Sequence, residues 1–102
     1  MAPKAELSPR AEDDVRDIWR YTAETWSEHR AQTYVDGLFD MMEALAAEPH
    51  HGRAADEIAE GLLRRACASH VIFYRAIDGG VLIVRVLHAR MDFPAHLAND
   101  QA

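Results

Sequence analysis

The chain is 102 residues long, with 49% apolar and 27% charged residues and a formal net charge of −6. That size suits one globular domain, residues 1–102, and leaves no room for a second. A lone cysteine, Cys67, excludes an intrachain disulfide, a cysteine metal site and a redox pair, and no apolar run approaches the ~20 residues of a bilayer span.

Met1-Ala2-Pro3-Lys4 also lacks the apolar stretch of a signal peptide, so the expected compartment is the reducing cytoplasm. The charge is unevenly spread. Residues 1–60 hold six Lys/Arg against fourteen Asp/Glu, a balance of −8; residues 61–102 hold five Arg against three Asp, a balance of +2. The five are Arg64, Arg65, Arg75, Arg85 and Arg90, and Lys4 is the only lysine of the chain. Arginine forms forked contacts with carboxylates and phosphates. The acidic total argues against a general nucleic-acid binder, which wants a clearly basic protein.

Residues 4–7 alternate weakly and predict a short strand that joins the sheet. Ser8-Pro9 predicts a helix start: serine caps free N–H groups, and proline suits the first helical position. Val15, Ile18, Trp19, Thr22 and Trp26 then keep one helical stripe, so a helix is expected over about 9–25. Ser27 caps a second helix whose stripe is Ala31, Tyr34, Val35, Leu38, Met41, Met42 and Leu45. It should stop before Pro49. The short joint at Trp26-Ser27 implies an antiparallel helical hairpin, and Gly37 suggests a close crossing of its two helices. Trp19, Trp26 and Tyr34 are read as core or hairpin seam, with Trp26 at the tip a candidate interface residue.

Residues 49–61 carry turn residues at both ends and read as a connection. Leu62–Ala68 and His70–Ile77 predict strands. Asp78-Gly79 is a hairpin signal. Val81–His88 is a nearly continuous apolar run, expected as a central strand buried on both faces except at Arg85. Asp92–Ala98 predicts one terminal helical turn, followed by a frayed end. Three successive strands make an antiparallel meander, and the helical hairpin needs a face to cover. The expected fold is α+β, in the order β-α-α-β-β-β, with the far side of the sheet partly open. Strict alternation puts Val81, Ile83, Arg85 and Leu87 on one face, with Arg75 and Arg85 on the open side.

No metal site is predicted: His50 and His51 are adjacent, the other histidines are scattered, and no HExxH spacing occurs. Ser69-His70 lacks a nucleophile elbow, and no P-loop or dinucleotide-binding glycine pattern is present. No cofactor is indicated. Metal-independent RNA cleavage needs a base, an acid and cations for the phosphorane. His88, Arg90, Arg64, Arg65 and Tyr74 are suitable types near strand ends, although solvated sheet-edge residues are the simpler reading.

Several segments together resemble one family. They are Leu7-Ser8-Pro9-Arg10-Ala11-Glu12-Asp13-Asp14, Asp17-Ile18-Trp19-Arg20-Tyr21, Thr25-Trp26-Ser27, Pro49-His50-His51-Gly52-Arg53 and Gly61-Leu62-Leu63-Arg64-Arg65. Ser69 to Arg75 and Val84 to Asp92 complete the set. In this order, over about residues 4–97, the chain is similar to ParE-type toxins of the RelE/ParE superfamily. The resemblance implies a toxin of a bacterial type II toxin–antitoxin module. It implies DNA gyrase as target and a ParD-like antitoxin whose disordered C-terminal segment wraps the toxin in a hetero-oligomer. Operator DNA would be contacted only through the antitoxin. The partner segment is expected to be amphipathic and to lie in an apolar groove provided by the helical hairpin and the sheet edge, meeting Trp26, Tyr74, Arg64, Arg65 and Arg75, the arginines pairing its carboxylates. Arg85, His88, Arg90 and Met91 are the expected exposed target contacts. The sister RelE branch cleaves messenger RNA on the ribosome. That alternative would make His88, Arg90, Arg65 and Tyr74 catalytic, but the lysine-rich sheet of some RelE members is absent, so a non-enzymatic gyrase inhibitor is the favoured expectation.

Overall fold

The computed structural model describes residues 2–97. Strand β1 (Lys4–Leu7) runs into Ser8, whose hydroxyl accepts from the Ala11 N–H at 3.0 Å and starts helix α1 (Pro9–Thr25). The same hydroxyl donates to the Val84 carbonyl, so this cap also ties the helix start to the sheet. Ser27 caps helix α2 (Glu28–Ala47) in the same way, accepting from the Arg30 N–H. Both helices occupy the ranges that their caps and Pro49 predict.

A 3₁₀ turn (Pro49–His51) leads to β2 (Arg53–Ala54), then β3 (Leu63–Cys67), β4 (His70–Ile77), β5 (Gly80–His88) and helix α3 (Phe93–Leu97). The sheet order is β1-β5-β4-β3-β2. β3, β4 and β5 form the expected meander, and β1 joins in parallel, pairing Lys4 to Gly80 and Leu7 to Ile83. β2 is a fifth strand inside the segment read as a plain connection. The fraying expected at the end of the chain lies outside the described residues.

The helical hairpin covers one face of the sheet. Ile18, Val35, Leu38, Met42 and Leu45 pack there against Ile72, Tyr74, Val81, Ile83 and Val86. β4 alternates as expected, with Ile72 and Tyr74 towards the helices and Phe73 away from them. β5 does not. Its register shifts opposite Phe73/Tyr74, so Tyr74 pairs with Ile83 and Phe73 with Arg85, leaving Val84 extra. A bulge of this kind inserts one unpaired residue and resets the alternation. Val84 and Leu87 therefore share the far face while Val86 returns to the helix side.

Two expectations are corrected here. The far face is not left open: Ala55 and Leu62 from the β2–β3 connection and Leu97 of α3 bury Phe73, Val84 and Leu87. Gly37 marks no helix crossing, since a Cβ placed there would meet nothing within 4 Å.

Candidate functional site

β1 ends the sheet on one side. The Lys4 and Ser8 amides donate inward to Gly79 and Ile83, so the alternating Ala5 and Leu7 amides face the outer edge. Above that edge α1, α2 and β1 enclose an apolar groove of about 760 Å³, lined by Leu7, Val15, Trp19, Val35 and Phe39 and rimmed by Glu6, Glu12, Arg16 and Gln32. It continues over Glu6, Leu7 and Phe39 into a hollow of about 420 Å³ beside Ala5 and Met42. Phe39 is 40% exposed, although it is a large apolar residue on a core-bearing helix. Exposed apolar grooves rimmed by polar residues mark sites where another chain docks. Sequence reading expected the hairpin and sheet edge to form such a groove, but it singled out neither Trp19 nor Phe39 as contacts. Their signal was an apolar stripe wider than the core needs.

A second corner lies between α1 and the ends of β4 and β5. His70 and His88 are cross-strand partners with ring centroids 5.3 Å apart. The Tyr34 hydroxyl meets His70 Nδ1 at 2.7 Å. Burial lowers the His70 pKa, and His88 adds to the lowering. His88 Nδ1 accepts from the Arg90 amide. A pocket of about 310 Å³ here is lined by Asp17, Tyr21, His70, His88 and Met91. Tyr21 and Met91 stand well exposed beside it. The expected target residues His88, Arg90 and Met91 thus share one corner, with Tyr21 as an addition.

Other expected site residues scatter. Tyr74 is fully buried: its hydroxyl donates to the Pro49 carbonyl at 2.6 Å and accepts from the Gly52 amide at 2.9 Å. Burial raises its pKa, and the group has no surface on which to meet RNA or an antitoxin. Arg85 is not an exposed contact either. Its side chain is 11% exposed and forks onto Asp14 at 2.7 and 2.9 Å. Both misplacements have a physical source: a tyrosine in a strand gives no sign of which backbone groups its hydroxyl will satisfy, and nothing in β5 shows that Asp14, 71 residues away on α1, will meet Arg85. Arg64 lies 3.7 Å from Glu57, Arg65 donates to the His51 carbonyl, and Arg75 donates to the Glu60 carbonyl. Trp26 is 62% exposed on the hairpin tip, with the Arg30 guanidinium 4.2 Å above its ring. It lies on different elements from the arginines of β3 and β4. Among the described residues no cluster of His, Cys, Asp and Glu suits a metal ion, and no helix is long and apolar enough to cross a membrane.

A helical hairpin laid on a five-stranded sheet, with an apolar groove at the β1 edge, defines a small α+β protein of the RelE/ParE-like class. The family model for the ParE toxin of the type II toxin–antitoxin system parDE matches residues 5–93. Toxin ParE1 of Mycobacterium tuberculosis (strain CDC 1551 / Oshkosh) is 38% identical over 95% of this chain and all of that protein. Toxin ParE1 of Caulobacter vibrioides is 40% identical over 89% of this chain and 94% of its own length. A solved structure, the chromosomal ParDE system from P. aeruginosa, superposes with a TM-score of 0.73 over 84% of this chain and 95% of that one; at 12% identity it bears on the fold alone. The chain belongs to the ParE toxin family of type II toxin–antitoxin systems.

Proposed function

We propose that this toxin acts in the cytoplasm on DNA gyrase and is neutralised by a ParD-type antitoxin seated in the groove between α1, α2 and β1. The observation that carries the antitoxin reading is the groove itself: apolar floor, polar rim, two half-exposed aromatics and an adjacent strand edge with outward-facing amides. A disordered segment that folds on binding needs a long apolar track of this kind. A free strand edge offers it main-chain hydrogen bonds as well. Operator DNA is then met through the antitoxin, in keeping with the net charge of −6. The gyrase reading draws on the family name and assigns target contact to the corner of His88, Arg90 and Met91, clear of the groove. Ribonuclease chemistry is disfavoured because Tyr74, one of its four expected catalytic groups, is sealed in the core.

Induction of the toxin alone in bacteria tests this. DNA breaks and an SOS response with messenger RNA intact are the expected result. Rapid messenger loss without DNA damage would overturn the gyrase assignment.

A further inference from the structure

On the far face of the sheet, at the opposite edge from the antitoxin groove, β2 pairs Arg53 directly with Arg64 of β3. Directly opposed residues of an antiparallel pair share a face, and like charges in that relation destabilise the pairing. β2 is only two residues long, so this repulsion is set against very few ladder bonds. The fold does little to relieve it. Glu57 approaches Arg64 at 3.7 Å but is 60% exposed, a weak and screened contact. Among the described residues no carboxylate forms an ion pair with Arg53. Local arrangements that oppose stability without an internal compensation point to a role outside the fold.

Beside the two guanidinium groups lies a groove of about 400 Å³ whose remaining walls are Arg65, which donates to the His51 carbonyl, and Ala66, Val71 and Phe93. Phe93 is held edge-on against Phe73, with ring centroids 4.9 Å apart, so this wall is anchored to the core. The pocket therefore combines a forked cationic end with a short apolar floor. We infer that the Arg53–Arg64 groove binds an extended acidic segment of another protein, one carboxylate bridging the two guanidinium groups and a neighbouring apolar side chain lying on Val71 and Phe93. The chemistry favours a peptide over nucleic acid. The arginines would fork onto a carboxylate or a phosphate alike, but the groove holds only a few residues and its floor of Val71 and Phe93 suits an apolar side chain. The chain's net charge of −6 opposes a long polyanion more than a short segment with one bridging carboxylate. The inference goes beyond the antitoxin groove and does not depend on it.

The test uses the purified full chain and three fluorescein-labelled probes: a ten-residue peptide of alternating Glu and Leu, its Gln/Leu counterpart, and a ten-nucleotide single-stranded DNA. Anisotropy should show the Glu peptide binding about tenfold or more tightly than the Gln peptide and the DNA. Arg53→Glu and Arg64→Glu should each weaken it about tenfold, while Arg20→Glu, on the exposed face of α1, leaves it unchanged. Thermal melting separates binding from folding: Arg53→Ala should melt at or above the parent temperature while losing the peptide. Equal binding of the Glu and Gln peptides, full binding by both charge-reversed variants, or tighter, Arg53-dependent binding of the DNA would each overturn the inference. A lowered melting point for Arg53→Ala would do the same, because it would make the arginine structural.

Discussion

Ala68 holds a side chain in a backbone conformation that glycine adopts freely: φ is +54° at the first loop position between Cys67 and His70. A hairpin turn of this geometry prefers glycine there. Ala68→Gly should stabilise the protein by about 1 kcal/mol, read as a shift of the urea midpoint. Gly37 poses the converse case. It sits inside α2 with open space around its Cβ position, so Gly37→Ala should add about 0.5–1 kcal/mol in the same assay. Helix periodicity revealed the glycine but not what it faces, because a missing side chain fits a tight crossing or open solvent equally well. His70 contributes a pH dependence. Its folded pKa is depressed below 6.5, chiefly by burial and then by His88, with Asp14 acting the other way and Tyr34 holding Nδ1. The unfolded chain therefore takes up the proton first as pH falls. Stability from this group is complete above 6.5 and declines below it, down through the folded pKa. His70→Gln should flatten the melting temperature between pH 7 and pH 5; an unchanged slope would assign the dependence elsewhere.

Helices and strands differ in how much of them the residues disclose. α1 and α2 announce themselves through Ser8-Pro9, Ser27 and Pro49, each acting within a few residues of the boundary it sets. β2 is too short to have a period, and its existence depends on pairing with a strand ten residues away. The bulge in β5 is equally silent, since an extra residue leaves no mark on a nearly continuous apolar run. Its consequence is large. β1 stops at Ile83, and the rest of that β5 edge is completed by α1: Ser8 takes the Val84 carbonyl, and Asp14 takes the Val86 amide and the Arg85 fork. Asp14 thus satisfies one backbone donor and one largely buried charge. Asp14→Ala should cost about 3 kcal/mol, since it removes the carboxylate that faces the Arg85 charge and takes the acceptor from the Val86 N–H. A chemical denaturation curve measures this, and a loss below 1 kcal/mol would mean that water replaces the carboxylate without penalty.

Across the whole molecule, the sheet separates three surfaces. The β1 edge and the helical hairpin carry the apolar groove, the ends of β4 and β5 carry the histidine corner, and β2 with β3 carries the paired arginines. The fold class and the hairpin–sheet groove were readable from stripe, cap and turn residues. The groove's own contacts were not, because Trp19 and Phe39 look like core until the angle between the helices is known. The most direct measurement is the affinity of the cognate antitoxin's C-terminal segment for the Phe39→Glu toxin, taken by calorimetry beside the parent and Asp40→Ala, which lies outside the groove. With Phe39 already 40% exposed, the substitution leaves the core intact. The expected result is a loss of about a hundredfold for Phe39→Glu and none for Asp40→Ala. Parent-like affinity in the Phe39→Glu toxin would show that the antitoxin docks elsewhere.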